Sequence, residues 1–439
     1  MNNKKWMAIL LGGIMAASLA APCSVSAAEK TTLTFWHAMG GTNGEVLQQI
    51  VDDFNASQDE IEIKAEYQGT YDDTITKLKA AMQSDSGLPD VCQMYDVGTK
   101  FMYDSGAVIP VEDKFESTGY DKSSVMEVIS SYYTVDGKQY AMPFNVSTPM
   151  LYYNKDVFEA AGLDPETPPT TYDEVLEDAK KIVESGAAPV GYSQAIYGWF
   201  FQQLAGLGVT YGNNDNGRKE AVTAVDFDSN GGGLKVFDMW KKLYDSGYFE
   251  DYGTTTADTQ TAFFSGQVGM IIESTAILKN AVDSSPFEVG TGYLPRIEQN
   301  DEGGVIIGGG SLWLTDTGNE ANEDAAWKFI EYITTPDVQA KWSMGTGYFA
   351  INEKAYETED MKAYLKENPN FETAINQLKD SPVNCNTAGV LSGVQTEARL
   401  TFNEIMPQVY DGKLTTQDAV DQLAASVNKA IENYNESIK

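Results

Sequence analysis

The sequence predicts an α/β fold in two bodies joined by a hinge, and three observations carry that reading. Short β-prone runs alternate with helical apolar spacing from Leu33 onward, the mark of a parallel sheet covered by helices. The chain has 439 residues, 42% of them hydrophobic, which is enough for two cores of ordinary size. Between the two halves lies Met142-Pro-Phe-Asn-Val-Ser-Thr-Pro-Met-Leu-Tyr-Tyr-Asn154. Its polar segment Asn145–Thr148, set between apolar runs and flanked by Pro143 and Pro149, suggests a chain that leaves one body, passes an open polar site and enters another.

The N-terminus reads as an export signal over residues 1–27. Lys4 and Lys5 precede an apolar run from Met7 to Ala21, and Val25-Ser-Ala27 offers small residues for cleavage. A lipid anchor at Cys23 would need small residues just before it, and Pro22 fits that poorly. No other segment is long and apolar enough to span a membrane.

Leu33–His37 opens as a strand, Glu45–Asn55 has helical spacing, and Ile61–Tyr67 alternates as a strand. Tyr71–Met82 is helical, and Val91–Tyr95 is a buried strand holding Cys92. An inert core thiol is the reading there, with pairing to Cys385 the alternative in an oxidising compartment. Asp136-Gly137 marks a hairpin turn that feeds into the hinge stretch. Beyond it, Lys155–Ala161 is a short helix closed by Gly162. Thr171 and Glu174 form a capping box for the next helix. Two more rounds of α/β character follow, through Trp199–Gly206 and Gly231–Ser246, then a helix, turn and strand over Thr261–Ile272. Val305–Leu314 is a strand interrupted by glycines, Asn322–Ile333 a helix stopped by Pro336, and the last hundred residues are mostly helical.

The net charge of −34 argues against nucleic acid and anionic membrane surfaces as partners. Losing the signal removes two lysines and no acid, which deepens the charge by two. His37 is the only histidine, and Gly-x-Ser-x-Gly, His-Glu-x-x-His and P-loop motifs are absent. Asp226-Phe-Asp-Ser-Asn-Gly231 copies half a calcium loop, but the twelfth position is Phe237 where a glutamate is needed, so a turn before a helix is the reading. Gly308-Gly-Gly310 could aim amides at an anion or hydroxyl, or could serve close strand packing. Of the three arginines, Arg218 and Arg296 sit in polar turns and read as solvated. Arg399, on an amphipathic helix, could form a structural ion pair or grip a carboxylate or phosphate. Tyr71, Trp199 and Tyr348 each lie beside a glycine or turn, where side chains tend to line openings.

Seven segments carry a family resemblance: Phe35-Trp-His37, Gln93-Met-Tyr-Asp-Val-Gly-Thr99, Pro143-Phe-Asn-Val-Ser-Thr-Pro149, Leu151-Tyr-Tyr-Asn-Lys-Asp156, Ala161-Gly-Leu-Asp-Pro165, Ile306-Ile-Gly-Gly-Gly-Ser-Leu-Trp313 and Thr346-Gly-Tyr348. In this order they resemble the extracellular solute-binding family of ABC importers that includes maltose-binding protein, and within it the glycerol-phosphate branch. The resemblance implies a two-lobed, type II periplasmic-binding-protein fold with hinge crossovers. The lobes would be 28–142 plus 273–345 and 143–272 plus 346–439. It implies a monomer that captures glycerol-3-phosphate or a glycerophosphodiester at the outer face of the cell and delivers it to permease subunits, with no cofactor, metal or catalytic residue.

By the same resemblance, Tyr71 and Asp96 would meet glycerol hydroxyls. Ser147, Ser274, the Gly309 amide, Tyr348 and Arg399 would surround the phosphate, and Trp199 would form an aromatic wall. Thr275 could serve in place of Ser274. The chain departs from the branch at Asp96, where glutamate is expected, and at Ile196, where a second tryptophan is expected. A neutral-oligosaccharide binder and a secreted glycan hydrolase are the rival readings.

Overall fold

The computed structural model describes residues 30–84, 87–196 and 198–438. The expected export signal and Cys23 lie outside them. Twelve strands are found among these residues: β1 (Thr31–His37), β2 (Ile61–Tyr67), β3 (Val91–Tyr95), β4 (Val108–Ile109), β5 (Thr134–Val135), β6 (Lys138–Gln139), β7 (Met142–Ser147), β8 (Pro149–Asn154), β9 (Val190–Ser193), β10 (Val268–Ser274), β11 (Val289–Gly292) and β12 (Gly308–Thr315). The first sheet runs β2-β1-β3-β12-β4, with β7 also on β12. The pairs β1–β2 and β1–β3 are parallel, as their intervening helices Gly41–Ser57 and Tyr71–Met82 require. The second sheet runs β11-β8-β10-β9. The β5–β6 hairpin forms a third, two-stranded sheet, and the two larger sheets give the two-body α/β architecture that the sequence predicts.

Local signals account for many boundaries. Thr171 and Glu174 do form the capping box of Tyr172–Ser185, and Gly186 ends that helix at φ 77°. Asp136 and Gly137, at φ 51° and 75°, make the tight turn between β5 and β6. Pro336 does not merely stop the preceding helix. It sits in the first turn of the next one, Pro336–Thr346, where a missing N–H costs nothing. The Asp226–Gly231 stretch is a turn: its left-handed Gly231 sits at the start of the helix Gly232–Asp245.

Two cores form. One gathers Leu33, Phe35, Val91, Phe144, Leu312 and Trp342, and the other Leu151, Phe158, Phe200, Trp240, Phe402 and Leu423. Only Thr148 separates β7, in the first sheet, from β8, in the second. The Thr148 amide donates to Thr275 Oγ1 (3.1 Å), and the Thr275 amide donates back to the Thr148 carbonyl (2.8 Å). Gln377 Nε2 donates to the Pro149 carbonyl at 2.7 Å. Two distant segments thus hold the crossing. Cys92 is buried in β3, where burial pushes its thiol up to about 12, and both it and Cys385 are free thiols.

Glu273, 3% exposed in β10, lies one residue before this crossing. It accepts from the Ser274 amide (2.7 Å) and Gln260 Nε2 (3.1 Å), and burial pushes its carboxyl up to about 7. A carboxyl raised on folding stabilises fully below its unfolded pKa of about 4.5, and that contribution is lost as pH rises through 7. Glu273→Gln is therefore expected to match the parent near pH 4.5 and to exceed it above pH 7, by up to roughly 3 kcal/mol. Urea unfolding at pH 5 and pH 8 checks the sign.

Candidate ligand-binding site

Tyr71 opens the helix Tyr71–Met82, whose start is fixed by a Thr70–Asp73 capping box. That cap points the ring back over the end of β3, where it stacks on Tyr95 with centroids 5.0 Å apart and planes within 6°. Asn145 Nδ2 donates to Tyr71 Oη (2.7 Å), and Gln93 Nε2 donates to Asn145 Oδ1 (2.6 Å). Burial holds the Tyr71 phenol well above its usual range, and Tyr348 and Asp96 add to the shift, so the phenol stays neutral.

Gly309 faces the same strand. It adopts φ +93°, and a Cβ there would lie 1.9 Å from the Asn145 carbonyl oxygen. Only glycine fits. The β7–β12 register shifts between Gly310 and Ser311, a bulge that re-aims the backbone at this end of the sheet. Ser147 ends β7 opposite Gly308, with its Oγ 3.8 Å from where a Gly308 Cβ would sit. Tyr348 follows Gly347 (φ +93°) and stacks on Trp342 at 5.6 Å. The Phe349 amide ties this turn to the Val146 carbonyl at 2.9 Å.

Ser274 pairs with Pro149 across the second sheet, and its Oγ accepts the Ala276 amide at 3.1 Å. Gly347 lies beside it: a Cβ there would be 3.4 Å from the Thr275 carbonyl oxygen. The Thr275 hydroxyl is buried and accepts the Thr148 amide, which engages it in the crossing.

From the other body, Arg399 projects from the helix Gln395–Tyr410 and donates through Nη2 to Asp96 Oδ2 at 3.2 Å. The guanidinium sits 5.5 Å from the Phe201 ring centroid, and a Cβ on Gly198 would lie 3.1 Å from it. Gly198 therefore gives room for Arg399 beside Trp199, which is 5% exposed at the start of the helix Trp199–Gly206. Burial raises the Asp96 carboxyl, and Arg399 pulls it back down. Tyr95 Oη also reaches across, to Thr396 Oγ1 at 3.2 Å.

Six of the eight expected residues thus gather in two linked groups. Tyr71, Asp96, Ser147, Gly309 and Tyr348 lie around the end of β7, and Arg399 faces them through Asp96, while Trp199 is buried in the second core. Ser274 joins through the crossing. Sequence reasoning missed Asn145, Tyr95 and Tyr132, although the first two stand inside motifs quoted for their neighbours. Tyr132 Oη donates to the Asp96 carbonyl at 3.1 Å. Asp96 and Arg399, expected on different ends of a ligand, meet each other here. Ile196, where a tryptophan was expected, is buried in the second core. Two large clefts, about 720 and 730 Å³, lie elsewhere: one is lined by Gln203, Arg296 and Gln377, the other by Lys122, Arg218 and Cys385.

The arrangement can present a guanidinium fork, glycine amides and several phenols to one small polar ligand. A sequence model described as bacterial extracellular solute-binding protein matches residues 49–373. The chain is 30% identical to the sn-glycerol-3-phosphate-binding periplasmic protein UgpB of Escherichia coli strain K12, over 93% of this chain and 94% of that one. Its fold is similar to that of UgpB from Mycobacterium tuberculosis, solved in complex with glycerophosphocholine (TM-score 0.78, 21% identity, 92% and 99% coverage). It is also similar to the cyclic alpha-maltosyl-1,6-maltose binding protein of Arthrobacter globiformis (TM-score 0.76, 26% identity, 92% and 100% coverage). The chain belongs to the bacterial extracellular solute-binding proteins.

Proposed function

We propose that this protein captures glycerol-3-phosphate or a glycerophosphodiester between its two bodies and hands it to the permease of an ABC importer. The observation that carries the reading is the Arg399 guanidinium of one body paired with Asp96 of the other, beside the stacked Tyr71 and Tyr95. A phosphate offers Arg399 more acceptor oxygens than a carboxylate, in the planar fork geometry it favours. Phosphate would take over Arg399, and Asp96 would turn to accept glycerol hydroxyls. Tyr71, Tyr348, Ser147, Ser274 and the Gly309 amide would supply the remaining donors, with Trp199 as a wall.

A ligand held from both sides favours the arrangement in which the bodies meet, and the hinge would lie at Ser147–Pro149 and Ser274–Thr275. The protein would act as an exported monomer and would not itself catalyse a reaction. At physiological salt the screening length is about 8 Å, so the cleft's own groups outweigh the acidic surface.

The stacked Tyr71–Tyr95 pair favours one second reading, a neutral oligosaccharide lying on an aromatic platform. Thermal melts with glycerol-3-phosphate, glycerophosphocholine and maltose separate the two. Either phosphate compound at about 100 times its Kd should stabilise the fold by about 2.7 kcal/mol, and maltose should leave it unmoved. A shift with maltose alone would replace the reading, and release of sugar from glycans would replace it with hydrolysis.

A further inference from the structure

Arg218, expected in solvent, instead bridges the two bodies. The loop that delivers it, Asn213–Gly217, holds Asn214, Asp215 and Asn216 at φ 57°, 54° and 57°. L-residues visit this left-handed region singly, so three in succession store strain that surrounding contacts must overcome. Asn216 supplies those contacts. Its Oδ1 accepts the amides of Tyr211 (2.8 Å) and Gly212 (2.9 Å), and its Nδ2 donates to the Cys385 carbonyl (2.9 Å). The Leu391 amide donates to the Asn216 carbonyl (2.8 Å).

The guanidinium that follows is half-buried. Nε donates to the Gly389 carbonyl (3.1 Å) and Nη2 to the Ala388 carbonyl, both on its own side. Nη1 crosses to the Tyr132 carbonyl (2.8 Å), and the group lies 5.2 Å from the Tyr132 ring centroid. Burial lowers its pKa to about 10, which leaves it a cation at neutral pH. Its bonds among the described residues go to carbonyl oxygens, which satisfy donors without neutralising the charge. Tyr132 in turn donates to the Asp96 carbonyl, and the Asp96 carboxylate receives Arg399. The chain Arg218–Tyr132–Asp96–Arg399 therefore starts and ends in the second body and passes through the first.

We propose that Arg218 is a positioning residue for ligand capture: it clasps Tyr132 across the junction of the two bodies, fixes Asp96 opposite Arg399 through that tyrosine, and sets how long the bodies stay together around a bound anion. The inference rests on the reading of the cleft as the binding site. Its unneutralised charge adds to that of Arg399 on the far side of Tyr132, so the clasp also favours an anionic ligand over a neutral one.

Stopped-flow tryptophan fluorescence with glycerol-3-phosphate tests it on the full mature chain. Arg218→Met keeps the aliphatic stem and removes charge and donors. It should release ligand about tenfold faster or more, with association changed by no more than about twofold. Arg218→Lys keeps the charge but cannot span the three carbonyls, and should fall between. Unchanged release in Arg218→Met, with only a lower melting temperature of the ligand-free protein, would reduce Arg218 to a structural residue and overturn the proposal. Should Arg218→Met not fold, unchanged release in Arg218→Lys overturns it equally. No signal with the parent protein would count against the glycerol-3-phosphate reading instead. The same pair of rates is then taken with whichever of glycerophosphocholine or maltose the parent binds, with the same criterion.

Discussion

Arg399→Ala should cost glycerol-3-phosphate binding about 2–5 kcal/mol, roughly 30-fold to several thousand-fold in Kd, and should leave any neutral-sugar binding nearly unchanged. The loss has two sources. The phosphate loses its guanidinium partner, and Asp96 is left half-buried without the cation that now draws its pKa down. In the variant the Asp96 carboxyl should titrate higher still, so residual binding should improve as pH falls and that repulsive charge is neutralised. Arg399→Lys should not restore affinity, because a lysine keeps the charge but lacks the planar fork. Calorimetric titrations at pH 6 and pH 8 check all three statements.

Gly309→Ala should be the most damaging single change in the cleft. A methyl group there would sit 1.9 Å from the Asn145 carbonyl oxygen, in a backbone conformation at φ +93° that alanine resists. The neighbouring atom is main chain, so it cannot swing aside. β7 and β12 must part, and Asn145 must leave Tyr71 and Gln93. The expected cost is about 3 kcal/mol or more of folding stability, with binding lost in whatever fraction folds. Gly137→Ala is the control: that glycine also has positive φ, but a Cβ there meets nothing within 4 Å. It should cost only about 1 kcal/mol, the backbone part of the penalty. Denaturant midpoints distinguish the two.

The contrast between legible and illegible residues follows from the range of the forces. The Thr171–Glu174 box, the Asp136-Gly137 turn and the Gly162 helix end are decided within a few residues, and spacing alone reveals them. The glycine run at Gly308–Gly310 was legible as an anomaly, but its cause was not. The clash that forbids a side chain at Gly309 comes from Asn145, on a strand far away in sequence. Arg218 was misread because its surroundings in the chain are polar. What half-buries it is a set of carbonyls at Tyr132, Ala388 and Gly389, 86 to 171 residues away. No side-chain pattern advertises a backbone oxygen. The Asp96–Arg399 meeting spans 303 residues and depends on how the two bodies face each other, so composition and periodicity carry no trace of it. Asp96 came to notice through a family motif and Arg399 through the scarcity of arginine, and the resemblance gave them separate roles.

If residues of both bodies grip one phosphate ester, calorimetric titration of the mature protein with glycerol-3-phosphate should show it. The expected result is saturable heat at one ligand per chain, lost in Arg399→Ala. Absence of heat, or heat that survives Arg399→Ala undiminished, would contradict it.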